Sequence, residues 1–337
     1  MRPGSTGNGW NMPSPPRDPD LSVLAGRLAL KNPVLVASGT GGYGAELTPL
    51  LDLARIGGVV TKTIFQEARP GNPPQRIAET AAGMLNSIGL EGVGIDRFLA
   101  EKLPKLARAD TRVVVSIGGY GPQDFARLAE RLDAEPRCDA LELNISCPNV
   151  KEGGLDMSTH PRLAAEVVRA VRLRTRKPVW AKLTPNVTSI SDVGKACLDE
   201  GADGLSAVNT LLGMKIDVHR RRPVLRRGVG GLSGPAIRPV ALVKCWELIQ
   251  VLRCDVIGIG GIATPEDALE FLIAGCKAVQ VGTAVYADPD CPARIADGIG
   301  RFLAEHDLPG IGDLIGSIQV DREWLLGPQR KEDDPTA

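Results

Sequence analysis

Eight short β-rich runs recur along the chain, each followed by a helical pattern, and this rotation limits the folds open to it. The runs are PVLVAS (33–38), GGVVTKT (57–63), RVVVSI (112–117), DALELN (139–144), PVWAKL (178–183), DGLSAV (203–208), DVIGIG (255–260) and AVQVGT (278–283). Their Val/Ile/Leu content predicts parallel strands buried on both faces. Helical spacing predicts helices near 48–56, 94–108, 122–134, 161–175, 189–200, 237–251, 264–275 and 291–305. The segment 264–275 carries a threonine cap, proline next, early acids and a closing glycine. Eight such alternations predict a (β/α)8 TIM barrel, with a doubly wound sheet as the alternative. The connections 64–93 and 209–236 are too long for plain βα loops and predict lids or ligand walls. A third extended loop follows strand four: residues 150–158 hold Gly153 and Gly154 and suit a gate. The predicted organisation is a loose tail over 1–20, a catalytic barrel over 21–315 and a loose extension over 316–337.

Charge and cysteine usage exclude several function classes. Lys+Arg and Asp+Glu both number 40, so no overall charge favours nucleic acid or membrane. Seven cysteines form no C-x-x-C pair and cannot all pair, which argues against a disulfide framework or a cysteine-held cluster. A reducing cytoplasm is the expected setting. Three histidines make a His-based metal site improbable, and no metal is expected. No apolar run approaches the roughly 20 residues of a membrane helix. The basic stretch HRRRPVLRR (219–227) reads as a solvated loop, or as a patch for a partner subunit or an acidic protein.

In such barrels the active groups gather where strands end. Here the ends read Ser38, Lys62 with Thr63, Ser116, Asn144 with Cys147, Lys182, Asn209 with Thr210, Gly260 with Gly261, and Gly282 with Thr283. The glycine turns after strands seven and eight free backbone N–H groups near helix starts and predict a phosphate site. Lys62 and Lys182 close apolar strands. Lysines commonly snorkel to solvent, but two at the mouth can stabilise a cofactor's developing charge and a substrate carboxylate. Asn86, Asn144, Asn149 and Asn209 usually would serve turns; together they suit a ring with alternating C=O and N–H groups, such as a pyrimidine. Cys147 sits on a strand-end loop where Pro148 stops the ladder. A thiol there can act as base or nucleophile, whereas the other six cysteines read as inert packing.

The motif NISCPNV (144–150) resembles the dihydroorotate dehydrogenase family, and LNSIGLEGVG (85–94), AVNTLLGMKID (207–217), GGLSGPAIRPVAL (230–242), GIGGIATPEDALEFLIAG (258–275) and VQVGTAVY (279–286) support the likeness. It covers roughly residues 20–315 in order. The resemblance implies FMN and oxidation of dihydroorotate to orotate in pyrimidine synthesis. Cysteine at 147, where the membrane-linked class usually has serine, implies the cytosolic class 1. LLGMKID with GGLSGPAI is most similar to its NAD-linked subgroup, class 1B. That subgroup implies a partner subunit carrying FAD and [2Fe-2S], in a heterotetramer of two catalytic and two electron-transfer chains.

Carried over by position, the resemblance makes Cys147 the general base toward C5 of dihydroorotate. Lys62, Asn86, Ser87, Ile88, Gly89, Leu90, Asn144, Asn149, Asn209 and Thr210 would hold the substrate. Ser38, Lys62, Thr63, Ser116, Asn144, Lys182, Val208, Gly234, Gly260, Gly261, Gly282 and Thr283 would line FMN. Lys182 would lie by the flavin's pyrimidine edge, and Gly260, Gly261, Gly282 and Thr283 would surround the phosphate. Ser116 stands where the family commonly has asparagine. A hydroxyl is shorter than an amide, so that contact with FMN is the weakest of the set. The alternatives are a fumarate-linked homodimer, a flavin reductase similar to the pyrimidine-reducing module of dihydropyrimidine dehydrogenase, and a non-catalytic phosphate-binding scaffold subunit.

Overall fold

The computed structural model describes residues 18–145 and 159–321. Cys147, Asn149 and the 150–158 gate lie outside the described residues, as do 1–17 and 322–337. Eight parallel strands close into a barrel in chain order. They are Val34–Val36, Gly58–Val60, Arg112–Ile117, Ala140–Asn144, Val179–Leu183, Gly204–Ala207, Val256–Ile259 and Ala278–Val281. The last strand pairs with the first, Val281 facing Val36. The chain is therefore a (β/α)8 TIM barrel. No helix among the described residues is long and apolar enough to cross a membrane.

Alternation along each strand sorts the side chains. Val113, Val115, Leu141, Leu143, Ala181 and Leu205 turn outward into a core shared with the surrounding helices. Those helices include Pro122–Asp133, Pro161–Arg172, Ile190–Asp199, Arg238–Leu252, Pro265–Ala274 and Cys291–Glu305. The predicted punctuation at 264–275 is present. Thr264 and Asp267 form a capping box, Pro265 opens the helix and Gly275 ends it at φ +114°.

Two expected helices are absent as such. The segment 48–56 holds only a 3-10 turn at Leu53–Arg55, with a second at Ala45–Leu47 just before it. Pro49 supplies no amide, and Asp52 caps Ala54 instead of continuing a helix. The segment 94–108 breaks into an α turn (Gly94–Arg97), a π turn (Phe98–Lys102) and a 3-10 turn (Leu103–Leu106). Pro104 removes the hydrogen bond that residue 104 would make one turn back, and the widened turn absorbs the loss.

Two further elements were not anticipated. Val23–Ala25 and Leu28–Leu30 form an antiparallel hairpin. Its Ala25, Leu28 and Leu30 pack with the inward-facing Leu35, Val114, Ala140, Trp180, Ile257 and Ala278, and so stopper the barrel's N-terminal end. Trp180 Nε1 donates to the Gly26 carbonyl at 3.3 Å, tying hairpin to barrel. At the opposite end, the two long connections merge. Ile77–Thr80 and Gly83–Asn86 from the first pair with Gly230–Ser233 and Leu211–Gly213 from the second in one four-stranded antiparallel sheet. Ala78, Leu85 and Leu225 form a small core of their own with this sheet. Leu225 thus anchors the basic stretch 219–227 at one point, while Arg220, Arg221 and Arg222 remain exposed.

Candidate functional site

The roof sheet and the C-terminal mouth of the barrel enclose a cavity of ≈ 580 Å³. That lies within the range of small-molecule and cofactor sites. Among the described residues expected at the site, all except Ser116 line it: Ser38, Lys62, Thr63, Asn86 to Leu90, Asn144, Lys182, Val208, Asn209, Thr210, Gly234, Gly260, Gly261, Gly282 and Thr283. The substrate and flavin candidates thus share one chamber. Ser116 is fully buried behind Thr63, whose Oγ1 lies 3.0 Å from Ser116 Oγ. Cys147 and Asn149 lie outside the described residues.

A row of amides and hydroxyls crosses the mouth. Asn144 Nδ2 donates to Thr63 Oγ1 at 3.0 Å, and Asn209 Nδ2 donates to Asn144 Oδ1 at 3.4 Å. The Thr210 amide donates to Asn209 Oδ1 at 2.8 Å. Each side chain is therefore oriented by the next, which fixes where its remaining donors and acceptors face. Asn86 Nδ2 reaches the Gly231 carbonyl at 3.4 Å, linking this candidate to the roof. The backbone of 87–90 is held by Asn72: its amide donates to the Ile88 carbonyl and its side chain to the Ser87 carbonyl, both at 2.8 Å. Ser38 Oγ donates to the Thr61 carbonyl at 2.8 Å.

The two lysines differ. Lys62 is half-buried, and burial holds its ammonium below the ordinary lysine value of 10.5; Arg76 adds to this and Glu91 opposes it. Arg76 and Glu91 form a 2.6 Å ion pair, and both line the cavity. Lys182 is buried, with Nζ 3.3 Å from Glu142 Oε1.

The glycine turns have a steric duty as well as an open side. A Cβ at Gly261 (φ +77°) would lie 2.8 Å from the Arg238 amide, so this turn needs glycine for packing. At Gly282 a Cβ would meet nothing closer than Ala37 Cβ at 3.6 Å, so the wall there is clear for a bulky group. The helix start at Pro265 does not offer free amides as expected. Asp267 Oδ2 already accepts from Ala263 N at 2.9 Å and Thr264 N at 3.0 Å. Gly260, Gly261, Gly282 and Thr283 all line the cavity, and Thr283 Oγ1 donates to Ser233 Oγ at 2.8 Å.

Several lining residues escaped the sequence reading. Asn186 donates to Thr184 Oγ1 at 2.9 Å and to the Thr210 carbonyl at 3.0 Å, while its Oδ1 accepts from Leu212 N at 2.9 Å. It joins barrel strand five to the roof. Its signal was the amide in LTPN, directly after a strand. Arg76, Glu91 and Tyr286 carried no comparable signal.

The profile of the dihydroorotate dehydrogenase family matches residues 21–303. A Pelobacter propionicus protein named dihydroorotate dehydrogenase B (NAD(+)), catalytic subunit, is 50% identical over 301 residues, covering 89% of this chain and 99% of that one. The Geotalea uraniireducens protein of the same name is 51% identical over 300 residues, covering 89% and 98%. That of Geobacter sulfurreducens is 49% identical over 302 residues, covering 90% and 99%. The match spans all eight barrel strands and both connections that build the roof: this chain belongs to the dihydroorotate dehydrogenase family.

Proposed function

We propose that this chain oxidises (S)-dihydroorotate to orotate in pyrimidine biosynthesis, with FMN in the cavity and Cys147 as general base. The observation that carries the reading is the gathering of the described candidates into one chamber, with a cation and a row of amides at its mouth. The half-buried Lys62 suits a carboxylate, which favours dihydroorotate over an uncharged dihydropyrimidine.

The residues present fit FMN: the wall at Gly282 is clear, Gly260, Gly261 and Thr283 offer backbone toward a phosphate, and Lys182 supplies a buried cation. FMN, when bound, supplies the acceptor for the hydride leaving C6 of the substrate. Asn144, Asn209 and Thr210 orient the ring and Lys62 faces its carboxylate. Cys147 takes the proton from C5, leaving the electron pair to form the ring double bond. Asn144 lines the cavity, and Cys147 follows three residues later, a chain span of at most about 10 Å. A free thiol has pKa about 8.5, so a modest downward shift makes a base that works near neutral pH.

Electrons then pass to NAD through a partner subunit carrying FAD and [2Fe-2S], in an assembly of two catalytic and two electron-transfer chains. The names of the relatives support a partner subunit and NAD(+), since each relative is called the catalytic subunit of an NAD(+) enzyme; the FAD, the [2Fe-2S] cluster and the stoichiometry rest on the family resemblance. Anaerobic mixing with dihydroorotate tests the first half: the flavin should bleach, and a flavin that stays oxidised overturns the reading. NAD should then restore the colour only with the partner present; restoration by fumarate alone would assign the homodimeric alternative.

A further inference from the structure

Glu142 is fully buried inside the barrel, one residue pair above the apolar layer that the N-terminal hairpin closes. Its carboxylate has three partners from three other strands. Lys182 Nζ lies 3.3 Å from Oε1, Ser206 Oγ donates to Oε2 at 2.9 Å, and Gln280 Nε2 donates to Oε2 at 2.8 Å. Glu142 stands on barrel strand four and Gln280 on strand eight, so the network crosses the barrel's full width. Ser206 and Gln280 are as deeply buried as the carboxylate. Lys182 is the one member of this group that lines the cavity.

Such a cluster is a poor device for stability. Desolvating a carboxylate and an ammonium costs several kcal/mol per ion, and well-packed apolar residues in their place are often neutral or better. The layer directly beneath is built in that apolar manner, with Leu35, Val114, Ala140, Trp180 and Ile257. A charged layer between an apolar stopper and a ligand cavity therefore points upward, to the cavity. Ser206 and Gln280 fix the carboxylate from two sides, and the carboxylate in turn fixes Lys182 Nζ. An ammonium on a four-carbon stem otherwise has wide rotamer freedom.

We propose that Glu142 is a positioning residue: held by Ser206 and Gln280, it fixes Lys182 Nζ in the cavity wall and so sets where that cation would meet the flavin. This rests on the flavin reading above. Glu142 itself touches no ligand; it acts through Lys182.

The test uses the full chain, stripped of flavin and reconstituted with FMN. Glu142→Asp keeps the charge but withdraws the carboxylate by one methylene. Glu142→Gln keeps the length and removes the charge, and it should fold, because Gln280 Oε1 has no hydrogen-bond partner among the described residues and can turn to accept from the new amide. Both variants should weaken FMN binding by about tenfold, the scale of one charge-assisted hydrogen bond. Both should also shift the midpoint potential of the bound flavin. In a Lys182→Met background, Glu142→Gln should change FMN affinity by less than about twofold, because a residue acting only through Lys182 loses its route. Ser206→Ala, which loosens the carboxylate without touching either charge, should weaken FMN by about threefold and gives the decision if the Glu142 variants do not fold.

Wild-type affinity and potential in all three variants, with only a lowered unfolding temperature, would make the network structural and overturn the inference. An undiminished effect without Lys182 would overturn it too. A wild-type chain that takes up no FMN would instead sink the flavin reading, and this inference with it.

Discussion

Asn209 Nδ2 donates to Asn144 Oδ1 at 3.4 Å, joining the residues that follow barrel strand six to the end of strand four. Because Asn144 in turn donates to Thr63, three strand ends share one chain of hydrogen bonds. Asn209→Ala should therefore disturb more than one contact. Orotate affinity, measured by titrating the flavin spectrum, should fall by roughly ten- to a hundredfold, as for buried polar groups left unpaired. FMN content should stay the same.

Cys147→Ala should retain FMN and bind orotate, yet lose flavin reduction by dihydroorotate by about 10²–10⁴-fold in stopped flow. Near-normal reduction would rule out the base. Cys147→Ser should leave weaker activity, since a hydroxyl is far less acidic than a thiol.

The described cysteines should not compete in a labelling experiment. Burial pushes the Cys138 and Cys197 thiols up to about 12, and Cys254 and Cys291 to about 11. Cys276 is raised as well, and Cys245 is fully buried with Sγ 3.0 Å from the Ala207 carbonyl. Iodoacetamide on the native chain near neutral pH should modify Cys147 alone, and orotate should slow it. Peptide mapping that finds several modified thiols would contradict this.

Alkaline pH should act through Lys62. Its ammonium titrates below 10.5 in the folded chain because burial disfavours the charge. Between the lowered value and 10.5 the unfolded chain holds a proton that the folded one has released. This group's contribution to stability therefore rises with pH across that window. Carboxylate binding has the opposite sign: orotate affinity should decline as pH climbs through the lowered value. Lys62→Gln should flatten that decline, and an unchanged profile would remove Lys62 from carboxylate binding.

Gly231→Ala should distort the mouth from above. A methyl at this position would land on the Thr210 hydroxyl, and Gly231 is paired with Asn86 in the roof. Orotate affinity should drop by more than about tenfold with FMN retained; equal loss of both ligands would indicate collapse of the roof.

The barrel was legible because eight apolar runs at regular spacing leave few architectures open, and the helix at Pro265–Ala274 announced both of its ends. Pro49 and Pro104 lie inside segments of helical periodicity, and the backbone obeys the prolines rather than the period. The roof was not legible. Leu85 meets Leu232 across almost 150 residues, and strands so short carry little pattern of their own. Glu142 was missed for a different reason. In LELN its alternation assigns it a face, but a barrel's second face is its interior rather than water. The mouth residues were legible as a set because strand ends in this fold collect chemistry. The stacking of Ser116 behind Thr63 required coordinates.

The sheet above the mouth draws two of its strands from 64–93 and two from 209–236. Swapping either insertion alone between related enzymes would mismatch a hydrogen-bonded seam down the middle, at Gly231 against Asn86. The two segments should therefore have diverged in concert, and a chimera that exchanges substrate preference has to carry both.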